Sequence, residues 1–375
     1  MARISVRELN RATLARQGLL EPMTTGSTAE AVERLGSLQA QHPEWPPIAL
    51  ASRVADARTA DLVAALDRRE VVRSSLMRIT IHVVSANDLW PMFTVCQPLR
   101  LSQWRLLAGA DPIDSPLGRS MVAAHEVALA ALADDNATAT ELDRLMAHEV
   151  GPIETSVQRI YWRHLAALVP LVHVPHAGEG YGRSRYATAS RWLGVEPPEL
   201  DISEARTRVA RRYFAAFGPA SIDDLVAYVG RGRGGIGVWR DAVKAIGAKL
   251  VTMTDELGRT LHDLEDAPHP PAKTPASPRL LARWDSLLLS HAPRHRDRVI
   301  DDEHRSSVYS RNADVLPTFL VDGMVAGTWT LSRVDGEVTI GLQPFAHLAA
   351  ADERALEAEA DRLLSLMAPI GEHVE

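Results

Sequence analysis

The sequence predicts an α+β protein in which units of three helices and a β-hairpin recur in tandem and then give way to an antiparallel meander. Three observations carry this prediction. A helix-start signature repeats: Ser27 with Glu30, Thr138 with Glu141 and Ser221 with Asp224 each place a capping hydroxyl three residues before a carboxylate, ahead of an apolar-periodic run. Short alternating segments close each helical set. Beyond a proline-rich stretch the pattern changes to alternating runs joined by Asp322-Gly323 and Asp335-Gly336, a strong hairpin signal.

Taken in order, region 1–110 reads as helices at 6–17, 28–40 and 59–69, followed by strands at 71–78 and 80–85. Region 111–200 reads as helices at 117–133, 140–149 and 156–168, with 171–175 and 186–189 as a hairpin. Region 201–265 is the clearest. A helix at 204–217 meets the turn Gly218-Pro219-Ala220, then a capped helix at 221–229, a glycine-rich segment at 230–237 and a helix at 238–248. Strands at 250–254 and 260–264 finish it. Three helices and a hairpin in this order form the winged-helix pattern, so three tandem winged-helix units are expected. Residues 266–279 read as a proline-rich linker. In 280–375, strands at 318–321, 325–332 and 337–342 are expected to build a small antiparallel β-barrel, and an amphipathic helix runs 352–367.

Composition narrows the function. With 375 residues, 46% hydrophobic and 24% charged, the chain is a folded protein, neither disordered nor collagen-like. It has no apolar run of about 18 residues, so no membrane helix is expected. The N-terminus is charged at once and lacks an apolar signal core, which points to the cytoplasm. The single cysteine, Cys96, excludes an internal disulfide, a cysteine zinc site and an iron–sulfur cluster; it reads as a small buried hydrophobe. A net charge of −7 argues against coating nucleic acid through bulk charge but leaves room for a local basic groove. Only three of the 41 basic residues are lysines, Lys244, Lys249 and Lys273, so Schiff-base chemistry has three candidates.

Repeated winged helices point to double-stranded DNA, with a helix in one groove and the wing beside it. Arg231, Arg233, Arg294, Arg296 and Arg298 are candidate phosphate contacts, because a guanidinium presents a planar fork of donors. His173 with His176, and His291 with His295, have metal-like spacing but no clear third ligand, so neither metal nor cofactor is expected. Asp285 reads as a helix cap. The segment Leu38-Gln-Ala-Gln-His-Pro43 reads as the end of the second helix. There two glutamines two apart share no helix face, though at a fraying end both amides turn toward one cleft.

Residues 38–43, 76–85, 217–225, 284–291 and 312–329 together resemble the AlkZ-type winged-helix DNA glycosylase superfamily. The resemblance implies three winged helices in a C-shape around DNA, closed by a C-terminal β-barrel. It implies excision of alkylated bases, including bulky N7-alkylguanine adducts and interstrand crosslinks. The family's Gln-x-Gln pair maps onto Gln39 and Gln41 as the catalytic residues, and its Arg-x-Thr-x-His stretch onto Arg78, Thr80 and His82 as DNA contacts. Relatives usually carry glycine after that arginine; this chain has Ile79.

A neutral amide is a poor general base, so such a pair suits bases that are already cationic and leave neutral. The lysine shortage points to a monofunctional enzyme, and one chain with three DNA-binding units points to a monomer. The alternative is a non-catalytic winged-helix protein, a regulator or damage-binding module; a regulator would prefer one duplex sequence, whereas a repair enzyme would prefer damage.

Overall fold

The computed structural model describes residues 2–108, 116–151, 165–175, 184–230, 235–334 and 337–367. The chain opens with β1 (Ala2–Ile4) and α1 (Val6–Arg16), the latter started by a Ser5–Glu8 capping box. α2 (Thr28–Leu35), β2 (Leu38–Gln39), α3 (Trp45–Ala51), α4 (Thr59–Asp67), β3 (Val71–Ser75), β4 (Ile81–Ser85) and the long α5 (Ala86–Ala108) follow. The middle carries α6 (Pro116–Asp134), α7 (Ala139–Val150), β5 (Leu171–Pro175), β6 (Ser184–Thr188) and α8 (Ala189–Leu193). Next come α9 (Ile202–Phe217), α10 (Ile222–Val229), α11 (Gly237–Ala245), β7 (Leu250–Asp255) and β8 (Thr260–Leu264). The C-terminal part holds β9 (Arg279–Leu281), α12 (Ser286–Leu289), α13 (Arg305–Val308), β10 (Thr318–Val321), β11 (Met324–Val334), β12 (Glu337–Pro344) and α14 (Ala350–Met367). Most of the helix expected at 156–168 lies outside the described residues; 165–168 are helical. Among the described residues no helix is long and apolar enough to cross a membrane.

The three expected caps form. Ser27 accepts from the Glu30 amide, while Thr138 with Glu141 and Ser221 with Asp224 make reciprocal boxes. Each satisfies backbone donors that a helix start leaves open.

Among the described residues three sheets order the molecule, and two of them cross the expected unit boundaries. β3 and β4 pair with each other, β4 also with β2 and β3 also with β5, so strands of the first two regions share one sheet of order β2-β4-β3-β5-β6. β1 adds in parallel to β7, so the N-terminus extends the hairpin of the third region. The large core joins the same parts: Leu76, Met77, Phe93, Tyr213, Phe217 and Trp239 pack together from elements far apart in sequence.

The third sheet, β12-β11-β10-β9, is antiparallel and open among the described residues, not a closed barrel. Its apolar face is covered by other elements instead of by closure. Leu356 and Leu363 of α14 and Trp45 and Ile48 of α3 pack with Phe319 and Trp329. The Trp329 indole donates to the Leu281 carbonyl at 2.9 Å. At the β10–β11 turn, Asp322 and Gly323 have φ of +46° and +79°, as a two-residue hairpin of this type requires. The tip docks on α1, where Arg7 and Arg11 both pair with Asp322.

One correction bears on function. The helix expected to run to residue 40 stops at Leu35, because Gly36 takes φ +80° and ends it. The next residues run extended as β2, and Ala40 continues the pairing through its amide to the Ile81 carbonyl at 2.8 Å. A Cβ on Gly36 would lie 3.2 Å from Ala216 Cβ and 3.3 Å from the Phe217 ring. Gly36→Ala therefore combines left-handed backbone strain with crowding. It is expected to cost about 1–3 kcal/mol in urea denaturation. A change below about 0.5 kcal/mol would show that the turn tolerates a side chain.

Candidate functional site

An extended chain alternates its side chains between two faces. Residues 38–41 do so: Leu38 and Ala40 are buried, Gln39 is half-buried and Gln41 is exposed. The two glutamines thus share one face, which a helix would not have allowed. Ala40 holds the segment from below, since its carbonyl accepts from Arg73 Nε at 3.1 Å. Ser37 anchors the start. Its hydroxyl meets the Tyr228 hydroxyl at 2.9 Å and its carbonyl accepts from Ser286 Oγ at 3.1 Å, tying the segment to α10 and α12. Burial pushes the Tyr228 phenol up to about 12, so it stays a neutral partner.

Both amides have a fixed orientation. Gln39 Oε1 accepts from Arg78 Nη2 at 3.0 Å, and Gln41 Oε1 accepts from the Ile81 amide at 3.3 Å. Guanidinium and backbone N–H groups only donate, so each oxygen must face them and each NH2 end points away. An amide oxygen has two lone pairs, so one on each remains for a water or a substrate.

Arg78 organises this arrangement from the tip of the β3–β4 hairpin. Its Nη1 donates to the Tyr228 carbonyl, its guanidinium lies 5.7 Å from the Tyr228 ring centroid, and its Nη2 also meets His82 Nε2 at 3.3 Å. His82 Nδ1 donates to the Thr80 carbonyl at 3.0 Å, which leaves Nε2 as the acceptor from Arg78 and fixes a neutral tautomer. Burial holds His82 well below its ordinary value, and Arg78 pushes the same way.

The structure brings Gln39, Gln41, Arg78 and His82 together, but His82, Thr80 and Arg298, all expected as DNA contacts, serve other ends. His82 is 1% exposed and supports Arg78, while the Thr80 hydroxyl closes the tight turn on the Met77 carbonyl at 3.1 Å. Arg298 is a core residue at 0% exposure, donating from Nη1 to the Pro219 carbonyl at 2.9 Å. The reason is geometric. Residues 293–298 form a 3-10 helix, where positions three apart share a face, so His295 and Arg298 both turn inward. Arg294 stays exposed but pairs with Asp223 at 2.7 Å. Arg296 is half-buried with its guanidinium 4.4 Å from the Tyr309 ring centroid. Arg231 and Arg233 lie outside the described residues. His291 and His295 are each used internally. His291 Nε2 donates to the Phe217 carbonyl at 3.2 Å, and His295 Nδ1 donates to Asp224 at 2.6 Å.

Sequence reasoning missed how several neighbours meet around the pair. Ser37 and Tyr228 carry no motif and meet across 191 positions. Next to Gln41, the exposed His42 ring stacks on Trp284 with centroids 5.1 Å apart, and the Arg283 guanidinium lies 4.9 Å from the centroid of the same indole.

The hairpin tip is strained. Arg78 and Ile79 have φ of +52° and +59°, a region that β-branched residues rarely occupy. Ile79 stands where a glycine would be at ease. Ile79→Gly should relieve about 1–2 kcal/mol of strain against about 0.5–1 kcal/mol of added freedom in the unfolded chain. The variant is therefore expected to be as stable as the parent or up to about 1.5 kcal/mol more so. A lower urea midpoint would show that Ile79 packing outweighs the strain.

A family model described as DNA glycosylase AlkZ-like matches residues 32–366. An interstrand DNA cross-link repair glycosylase of Streptomyces sahachiroi is 27% identical over 364 residues, 91% of each chain. The solved structure of the Streptomyces sahachiroi DNA glycosylase AlkZ matches with a TM-score of 0.79 at 22% identity, covering 97% of both chains, a likeness of fold.

Proposed function

Because the chain belongs to the AlkZ-like DNA glycosylase family, we propose that it is a monofunctional, monomeric DNA repair glycosylase that hydrolyses the N-glycosidic bond of cationic N7-alkylated purines in duplex DNA. Bulky adducts and interstrand crosslinks are included in this reading, in keeping with the activity named for the Streptomyces sahachiroi relative. The helical units with their hairpins act as winged helices gripping the duplex, and the enzyme works in the cytoplasm. The observation that carries the proposal is the amide pair: Gln39 and Gln41 on one face of an extended segment, each oxygen anchored by a donor.

The chemistry follows from what neutral amides do. Neither can remove a proton from water, so the driving force must come from the leaving group. In N7-alkylguanine the bond from C1′ to N9 breaks with its electron pair passing to the ring, which leaves neutral. Water adds to C1′ and releases its extra proton to solvent. The free lone pair of one amide oxygen orients that water, and the outward NH2 ends donate to a phosphate or to acceptors on the departing base. The glutamines supply no amine nucleophile, so base release proceeds without strand scission.

The test is base release from a duplex carrying N7-methylguanine, with products resolved by chromatography, followed by a duplex with a bulky N7 crosslink. Release of the free base with an intact strand is the expected result. Tight duplex binding with no release from either substrate would overturn the proposal in favour of a non-catalytic DNA-binding protein.

A further inference from the structure

Arg78 does more than hold Gln39. It also lines a pocket of about 320 Å3, walled by Leu99 of α5, Gly230 at the end of α10 and Leu289 at the end of α12, with Arg296 lining it as well. Two guanidiniums therefore face one cavity. The partners of Arg78 are the Tyr228 carbonyl, Gln39 Oε1 and His82 Nε2, all uncharged. Arg296 lies over Tyr309 and makes a long bond, 3.4 Å, from Nε to the His291 carbonyl. Among the described residues neither is paired with a carboxylate. Arginines elsewhere contrast with this: Arg294 pairs with Asp223, Arg53 with Asp285 and Arg259 with Asp255. Burial and mutual repulsion both act on Arg78, whose pKa Arg296 pushes down. The wall is close-fitting at Gly230, which has φ +114° and where a Cβ would meet Leu99 at 2.8 Å and the Arg78 amide nitrogen at 3.3 Å.

Two guanidinium charges without a carboxylate partner beside one cavity of this size call for a compact anion with several acceptor oxygens. We propose that the pocket binds a phosphate and that in the DNA complex this is a backbone phosphate of the duplex, seated between Arg78 and Arg296. The DNA part rests on the glycosylase reading above. Since Arg78 also holds the Gln39 oxygen, a phosphate fixed here sets the register of the neighbouring sugar against the glutamine pair.

The experiment follows binding of a labelled, undamaged duplex by fluorescence anisotropy across salt concentrations, for wild type, Arg296→Gln and Arg296→Lys. Loss of one phosphate contact lowers the slope of log affinity against log salt by about 0.9, so the deficit of Arg296→Gln should shrink about 3.5-fold over a fourfold rise in salt. Arg296→Lys, which keeps the charge, should restore the slope. Melting curves check that Arg296→Gln folds; if it does not, Arg296→Lys carries the comparison, with a wild-type slope but weaker affinity expected, and wild-type affinity in that variant would overturn the proposal. An unchanged slope in folded Arg296→Gln overturns it too. If inorganic phosphate at constant ionic strength raises the melting temperature of wild type but not of Arg296→Gln, while the DNA slope is unaffected, the pocket takes free phosphate and the DNA assignment falls. The assay reads no base release, so failure of the glycosylase reading and failure of the phosphate pocket are seen separately.

Discussion

Replacing Gln39 and Gln41 together by alanine is expected to lower base release by about 100-fold or more while leaving the fold intact, the loss seen when fixed donors at a reacting centre are removed. Gln41 is exposed, so its truncation should change stability by less than about 0.5 kcal/mol. Gln39→Glu separates the two ends of the amide. A carboxylate keeps acceptor oxygens and pairs with Arg78, but it has no NH2 to donate. If the outward NH2 is what meets the substrate, Gln39→Glu falls with Gln39→Ala; if the oxygen orients water, Gln39→Glu retains most activity. The pH profile is a further check. Amides do not titrate, and His82 is held neutral by burial, so base release should be flat from about pH 6 to 8. A limb near the ordinary histidine value would assign the proton transfer to a histidine and remove the amides from that role. Full activity in the double variant would remove the pair from the chemistry altogether.

How far this site could be read from sequence depends on the range of the interactions that build it. Local signals were legible. The Ser221–Asp224 box, the Gly218-Pro219 turn and the alternating runs around 255–259 fall where α10, β7 and β8 stand, because caps and turns act within four residues. The Asp322-Gly323 turn is legible for the same reason. The helix stop before the glutamines carried a local signal too, Gly36 following Arg34 and Leu35, but Leu-Gln-Ala-Gln is also compatible with helix, and its apolar periodicity masked the stop. What sequence did not show is long-range. β1 joins β7 across some 250 positions, Arg78 reaches Tyr228, and the 3-10 turn rotates Arg298 inward; none leaves a periodic trace. The family resemblance supplied Gln39 and Gln41 where pattern alone reads polar residues at a helix end. It could not supply the orientation of their amides, which depends on donors 39 and 40 residues away.

Asp285→Ala is expected to be the most damaging single substitution to the fold. Its carboxylate is 0% exposed and lies 2.5 Å from Arg53 Nη2, itself 1% exposed. The same oxygen, Oδ1, caps α12 by accepting from the Leu287 amide at 2.9 Å. Arg53 Nη1 is spent on the Ala49 carbonyl at 3.1 Å, so the guanidinium has no route to water. Removing one partner of a buried pair leaves an uncompensated charge and costs about 3–5 kcal/mol, and the lost cap adds about 1 kcal/mol. Asp285→Asn keeps an acceptor for the cap and should fall between. Arg53→Met with Asp285→Ala should recover much of the loss, because an apolar replacement of the whole pair avoids the stranded charge. Urea denaturation of the three variants measures this, and Asp285→Ala within about 1 kcal/mol of wild type would show that the pair carries little of the stability. The effect should also reach the site. Trp284 precedes the cap and stacks on His42 beside Gln41, and Ser286 follows it and holds the Ser37 carbonyl at the start of the glutamine segment. Asp285→Asn, folded but loosened there, should therefore lower base release more than its stability loss alone accounts for, with a weakened near-ultraviolet signal from Trp284 as the sign that the platform beside Gln41 has moved.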